Sequence, residues 1–232
     1  MFKTSSTILI DFSSVINSNI TSIEYDFGDG SIASDSLVRY FFSEHGVFDV
    51  KLTATTSKGC SGFKIKSTEV FAMPVVDFSA SKTCVGEAAI FNNLSYVENG
   101  HIISSSWNFG LEYGSLLSNT THTFSHAGLF EVGLTIVSEK GCESVLKKQV
   151  EVNKLPLPKF HVDSDFCFGD EVEISYLQDP NFPEAVKWNY TFGDGNYSYE
   201  KDPVHVFSFV GSFDVGLEVT SLQGCKSDTM IS

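Results

Sequence analysis

Tyr190-Thr-Phe-Gly-Asp-Gly195 recurs, slightly altered, twice earlier in the chain, as Tyr25-Asp-Phe-Gly-Asp-Gly30 and Trp107-Asn-Phe-Gly-Leu-Glu112. Each copy opens a block that closes on Gly-Cys, at Gly59-Cys60, Gly141-Cys142 and Gly224-Cys225. The blocks superpose without a gap, so that motif falls on motif and Gly-Cys on Gly-Cys. A period of roughly 80 residues is a domain period, too long for the turn of a solenoid. The 232 residues therefore read as an array of three like modules. Each is large enough for a sandwich core and small enough to gain from extra staples.

Working outward from the motif, each block next shows a strict alternation. Phe48, Val50, Leu52 and Ala54 share one face, against Asp49, Lys51 and Thr53. Phe130, Val132, Leu134 and Ile136 repeat the pattern in the second block, and Phe213, Val215, Leu217 and Val219 in the third. Period two over this length, rich in Val, Thr and Phe, predicts half-buried antiparallel strands, and no segment sustains a helical period. Short strands separated by Gly, Asn, Asp and Ser turns indicate an all-β sandwich. Asp-Gly after the motif's aromatic strand is a turn signal, because Gly accepts positive φ and Asp bonds its own backbone nearby. A second aromatic anchor follows at Phe42, Phe124 and Phe207, preceded at two residues by Tyr40, His122 and His205. Junctions marked by proline, Met73-Pro74 and Leu155-Pro-Leu-Pro158, set the expected modules at 1–72, 73–155 and 156–232. Short Pro-containing junctions have little slack, so neighbouring modules are expected to be held semi-rigidly. The first module is expected to lack its first strand, and the third to have a truncated last strand.

Composition bounds the function. There are 29 acidic and 15 basic side chains, with Arg39 the single arginine, and the net charge is −14. Such a surface repels phosphate backbones, which argues against nucleic-acid binding and against anionic membrane surfaces. No stretch approaches the roughly 18 apolar residues of a membrane span. The amino-terminal residues lack the long apolar region and small-residue cleavage site of a signal peptide. The cysteines nevertheless point to an oxidising compartment, so the expected source is a fragment of a longer exported protein. Catalytic signatures are missing: no Gly-x-Ser-x-Gly, no His-Glu-x-x-His and no phosphate-cradling glycine loop. The chain is therefore not expected to be an enzyme, and no cofactor is expected.

Cys84 and Cys142 are separated by the same length of chain as Cys167 and Cys225. Equal spacing at equivalent positions predicts two disulfides within modules, Cys84–Cys142 and Cys167–Cys225, each contributing about 4 kcal/mol on chain entropy. Clustered histidines and Cys-x-x-Cys pairs, which a metal site would need, do not accompany them. Cys60 is left as an unpaired thiol unless it bonds another chain: its partner in register falls near position 2, where Phe2 stands.

The ordered set Tyr/Trp-x-Phe-Gly-Asp-Gly, His-x-Phe and Gly-x-Phe-x-Val-x-Leu resembles the PKD (polycystic kidney disease) domain family, and the resemblance covers all three modules. It implies three tandem immunoglobulin-like β-sandwich domains used outside the cell. The Cys-x-Gly-Glu/Asp openings at Cys84 and Cys167, with the late Gly-Cys, look like tandem PKD arrays of Bacteroidota surface proteins, gliding-motility adhesins and type IX secretion cargo. The first module departs by having Tyr40 for the motif His. The second departs by having Leu111-Glu112 for Asp-Gly.

Candidate sites are few. Asp29 and Asp194, with Asp26 nearby, could offer oxygens to Ca²⁺, but a competent site needs six or more, and turn residues are the competing reading. Tyr40, His122 and His205 are expected to pack an amphipathic ring with a polar tip. Leu111, Tyr113, Leu116 and Leu117 make an apolar loop that could fold over the sandwich end, contact a neighbouring module or offer a partner patch, and Phe182 poses the same question in the third module. The expected role is a non-catalytic stalk, spacer or adhesive segment of a large exported cell-surface protein, whose partners are neighbouring modules and a surface protein or polysaccharide. The alternative is a glycan- or partner-binding accessory region of a secreted hydrolase.

Overall fold

The computed structural model describes residues 6–10, 19–35, 38–110, 112–162 and 166–232, and every regular element among them is a β-strand. The first repeat contributes β1 (Ser6–Ile10), β2 (Ile20–Asp26), β3 (Ile32–Ala33), β4 (Val38–Phe42), β5 (Gly46–Thr56) and β6 (Ser61–Val70). They form a four-stranded sheet, β3-β2-β5-β6, and a pair, β1-β4. The second repeat contributes β7 (Phe78–Ala80), β8 (Thr83–Cys84), β9 (Ala88–Asn93), β10 (Ile102–Phe109), β11 (Glu112–Ser115), β12 (Thr120–Thr123), β13 (Gly128–Ser138) and β14 (Glu143–Asn153). Its sheets are β11-β10-β13-β14-β8 and β12-β9-β7. The third has β15 (Phe160–Val162), β16 (Val172–Tyr176), β17 (Ala185–Thr191), β18 (Tyr197–Ser198), β19 (Val204–His205), β20 (Val215–Ser221) and β21 (Lys226–Ile231). Its sheets are β15-β16-β19 and β18-β17-β20-β21.

One topology is thus written three times. The motif strand (β2, β10 or β17) lies beside the alternating strand (β5, β13 or β20), which lies beside the last strand of its repeat (β6, β14 or β21). This is the immunoglobulin-like sandwich expected from period-two patterning and closely spaced turn residues. β1 stands at the register of β9, one repeat earlier. β21 has 6 residues where β14 has 11.

The chain gathers into two compact units, Met1–Asp77 with Leu94–Ser106 and Leu134–Leu146, and Phe78–Asn93 with Trp107–Gly133 and Lys147–Ser232. The first has its core at Tyr25, Phe27, Phe42, Val50 and Val70, all at most 5% exposed. In the second, Phe160, Val172, Ile174, Tyr190, Phe192, Leu217 and Val219 form the core of the third repeat, and Phe78, Phe91, Trp107, Phe109 and Phe124 pack by their rings in the second. The alternating residues Val50, Val132, Leu134, Ile136, Leu217 and Val219 are all buried, as their pattern requires.

The cysteine pairing corrects the expectation from spacing. Cys84 is bonded to Cys225, 141 residues on, while Cys142, Cys167 and Cys60 are free. Neither Cys84–Cys142 nor Cys167–Cys225 is formed. The reason lies in β14. Cys84 pairs in parallel with Asn153, the last residue of β14, whereas Cys142 stands just ahead of its first residue, Glu143. Eleven residues of strand at about 3.3 Å each separate the two ends by about 35 Å, and a disulfide needs Cα atoms about 4.4–6.8 Å apart.

Candidate functional site

The residues common to the repeats converge on one arrangement of rings. Tyr25 stacks in line with Phe27 at 6.2 Å, Trp107 with Phe109 at 6.3 Å, and Tyr190 with Phe192 at 6.4 Å. The second ring of each pair lies face to face with the polar-tipped ring: Phe27 on Tyr40 at 3.7 Å, Phe109 on His122 at 4.1 Å, Phe192 on His205 at 4.0 Å. That ring in turn meets Phe42, Phe124 or Phe207 edge-on at 4.6–5.0 Å. Stacked and edge-to-face pairs at these separations add roughly 0.5–1.5 kcal/mol each beyond burial. A position that alternates Tyr and His therefore supplies a flat face on one side and a hydrogen-bonding tip on the other.

The acidic turn receives that tip. Tyr40 donates its hydroxyl hydrogen to Asp29 Oδ2 at 2.7 Å, and His205 Nε2 lies 2.8 Å from Asp194 Oδ2. The Ser31 amide donates to Asp29, and the Asn196 amide and side chain donate to Asp194, each at 3.0 Å. Burial pushes the Asp29 carboxyl upward, but Tyr40 and Ser31 outweigh it and hold it below its ordinary value. Asp194 behaves alike: burial raises it, while Asn196 and His205 bring it below the usual carboxylate range. Gly28 and Gly193 start these turns at φ +78° and +75°, where a Cβ would stand 2.9 Å from the backbone of Asp49 or Asp214. Only glycine fits such a site without strain.

These bonds occupy the two aspartates as turn and clamp residues. Among the described residues no group of three or more His, Cys, Asp or Glu is placed to hold a metal. The acidic turn is a fastening: it ties the end of the motif strand to the ring that covers it.

The features that differ most from expectation lie where repeats meet. Within the second unit, Lys154 donates to the Asn181 carbonyl at 2.7 Å and lies over the Phe182 ring at 4.3 Å. Tyr176 donates to the Leu157 carbonyl at 3.1 Å, and the Ser227 hydroxyl donates to the Pro156 carbonyl. The buried Cys84–Cys225 bond closes this joint, its sulfur-bearing residues 6% and 0% exposed. Within the first unit, Lys140 lies over Phe71 at 5.2 Å, and His45 Nε2 is 3.6 Å from Glu98. The sequence marks the proline junctions but not these partners, because nothing local distinguishes Lys154 or Ser227.

The residues of the expected partner patches fall as follows. Leu111 lies outside the described residues, and Tyr113 falls in β11. Leu116 and Leu117 are exposed on a loop held by Trp107, whose Nε1 donates to the Leu117 carbonyl at 2.9 Å. Phe182 belongs to the joint beneath Lys154. Phe2 lies outside the described residues. No helix among the described residues is long and apolar enough to cross a membrane.

A family profile described as PKD domain matches residues 3–70, 71–154 and 153–231. A 59-residue stretch is 39% identical to Collagenase ColA of Bacillus cereus, covering 25% of this chain and 6% of that protein. The chain therefore spans only a small part of that curated relative. Among solved structures, the PKD1 domain of Vibrio cholerae metalloprotease PrtV is 26% identical, covering 34% of this chain and 96% of that one with a TM-score of 0.33. The PKD1 domain of Vibrio anguillarum Epp is 24% identical, covering 35% and 95%, with a TM-score of 0.34.

Proposed function

Because the chain belongs to the PKD domain family, matched three times in succession, we propose that it is a non-catalytic structural segment of a larger exported surface protein, acting as a stalk or spacer. Its modules divide at 1–72, 73–155 and 156–232. The observation that carries this reading is the covalent joint: a buried disulfide links the second repeat to the third. A spacer has to preserve orientation from one module to the next, and a cross-link between neighbours does that where a flexible linker does not. The repeated polar residues support the reading, since Asp29, Tyr40, Asp194 and His205 are engaged in fastening their own folds. The Cys-x-Gly-Glu/Asp openings at Cys84 and Cys167 support tandem surface arrays of gliding-motility or type IX secretion type as the class of parent protein. The test is replacement in the parent protein by three unrelated immunoglobulin-like modules of equal length. A spacer is restored by that substitution; a loss of surface function that only this sequence repairs would refute the proposal.

A second reading, an accessory region of a secreted hydrolase, is favoured by the likeness to the collagenase over 59 residues. In that case, deleting these residues lowers activity on insoluble substrate and leaves activity on a soluble peptide unchanged. Equal activity on both after deletion would sink it.

A further inference from the structure

The two joints are built in the same register. At the first, Lys140, from the turn before β14, lies over Phe71, one residue past β6. At the second, Gln223, from the turn before β21, lines a cleft with Asn153, the end of β14. Lys140 and Gln223 differ by one repeat, and so do Phe71 and Asn153. In the second joint the cysteine two residues past Gln223 is bonded to the early cysteine of the preceding repeat, Cys84. In the first joint Cys142 holds the equivalent place, and the residue in register with Cys84 is Phe2.

Cys167 is in register with Cys84, one repeat on. It is exposed and unbonded. Phe168, Phe209 and Val210, which line one cleft with it, are 66%, 53% and 79% exposed. In the second repeat the residues in register with Val210 and Gly211 are Ala127 and Gly128, and these line the cleft that Gln223 and Pro183 of the third repeat share. Among the described residues, the third repeat thus presents, uncovered and apolar, the end that in the second repeat meets its neighbour. Exposed apolar patches mark interaction surfaces, and this one is continuous in register with an existing joint.

We propose that the end of the third repeat around Cys167 docks a further PKD-type module, and that Cys167 bonds the cysteine of that module's Gly-Cys turn, repeating the Cys84–Cys225 staple one module on. The staple has a direction: early cysteine to the turn of the following module. The two thiols lose two protons and two electrons, and the electrons reduce one disulfide of a thiol–disulfide exchange partner to two thiols. The inference rests on the array reading for its partner, but its chemistry is tested separately.

The probe is a second copy of this chain, whose exposed Cys60 is a turn cysteine. The chain is oxidised at high concentration in a glutathione redox buffer and mapped by non-reducing mass spectrometry. Cys167–Cys60 links between copies are expected several-fold above the symmetric Cys167–Cys167 and Cys60–Cys60 links, and Cys167→Ser removes them. Symmetric links in statistical proportion, or monomers alone, overturn the proposal. A second measurement needs no docking between copies: in Phe2→Cys a new bond to Cys142 is expected. Pairing of that new cysteine with Cys60, or with nothing, equally overturns it. Neither result depends on the replacement experiment, so failure of the spacer reading and failure of the staple rule are distinguishable.

Discussion

Cutting the joint by Cys84→Ser should release a length of chain that no other pairing predicts. Cys84 and Cys225 are 141 residues apart, so with the bond intact a pull on the two termini reaches only the first repeat and the segments outside the loop. At about 3.6 Å per extended residue, that loop hides about 510 Å of contour length. Bonds within modules would instead hide two shorter loops, and Cys84→Ser would then free about 210 Å. The assay is single-molecule force extension of the chain between handles, comparing the final contour length of wild type, Cys84→Ser and Cys167→Ser. Cys84→Ser is expected to gain the whole of the longer loop, and Cys167→Ser nothing. A gain of the shorter length in both variants would falsify the cross-repeat staple. The same bond closes a loop long enough to add about 5 kcal/mol on chain entropy. Because both cysteines are buried, a reductant should act on the native protein far more slowly than on the unfolded one.

Three further outcomes test the site. Gly193→Ala should cost at least 1–2 kcal/mol, roughly the left-handed penalty plus a contact of 2.9 Å with the Asp214 backbone, while Gly195→Ala, with open space around it, should cost less; equal melting shifts would contradict the close approach. Asp194→Asn should destabilise the third repeat by about 1 kcal/mol. Asp29 and Asp194 both titrate lower in the fold than in the unfolded chain, so their stabilisation is present above about pH 4 and is lost as pH falls through their folded values; acid melting curves that the asparagine variant leaves unchanged would show the clamp to be inert. Trp188 has a buried Nε1 with no hydrogen-bond partner among the described residues, so Trp188→Phe, which removes that donor and keeps most of the ring, should leave stability within about 1 kcal/mol of wild type; a larger loss in denaturant midpoint would mean that the indole nitrogen is satisfied.

The sandwich is legible in the sequence because its determinants are local. Phe213, Val215, Leu217 and Val219 alternate along one short segment, and Gly193-Asp194-Gly195 sets a positive-φ turn wherever that strand end is placed. The ring clamp is half legible. A position that accepts Tyr40, His122 or His205 reads as an amphipathic ring, but nothing in the spacing says that its tip reaches back to Asp29 or Asp194. That contact follows from β4 and β19 being folded back over the turn.

The disulfide is illegible for a reason peculiar to repeats. In a gapless array, the distance from an early cysteine to its own turn recurs in every module, and so does its distance to the turn of the next one. Periodicity supports both pairings equally, so equal spacing cannot choose between them. What chooses is strand direction. β8 joins its sheet parallel to β14 and at its far end, which puts Cys84 at the exit of its module, beside the entering neighbour, and leaves Cys142 at the opposite end of that long strand. In the sequence that choice is hidden in the parallel β8–β14 pairing, a contact that runs over two residue pairs. The shortest strand in the second repeat thus decides whether its cysteines staple a module or join two. For a spacer the consequence is mechanical: load enters at Cys84, crosses the sulfur bridge and leaves after Cys225, so most of two sandwiches are held out of the line of tension.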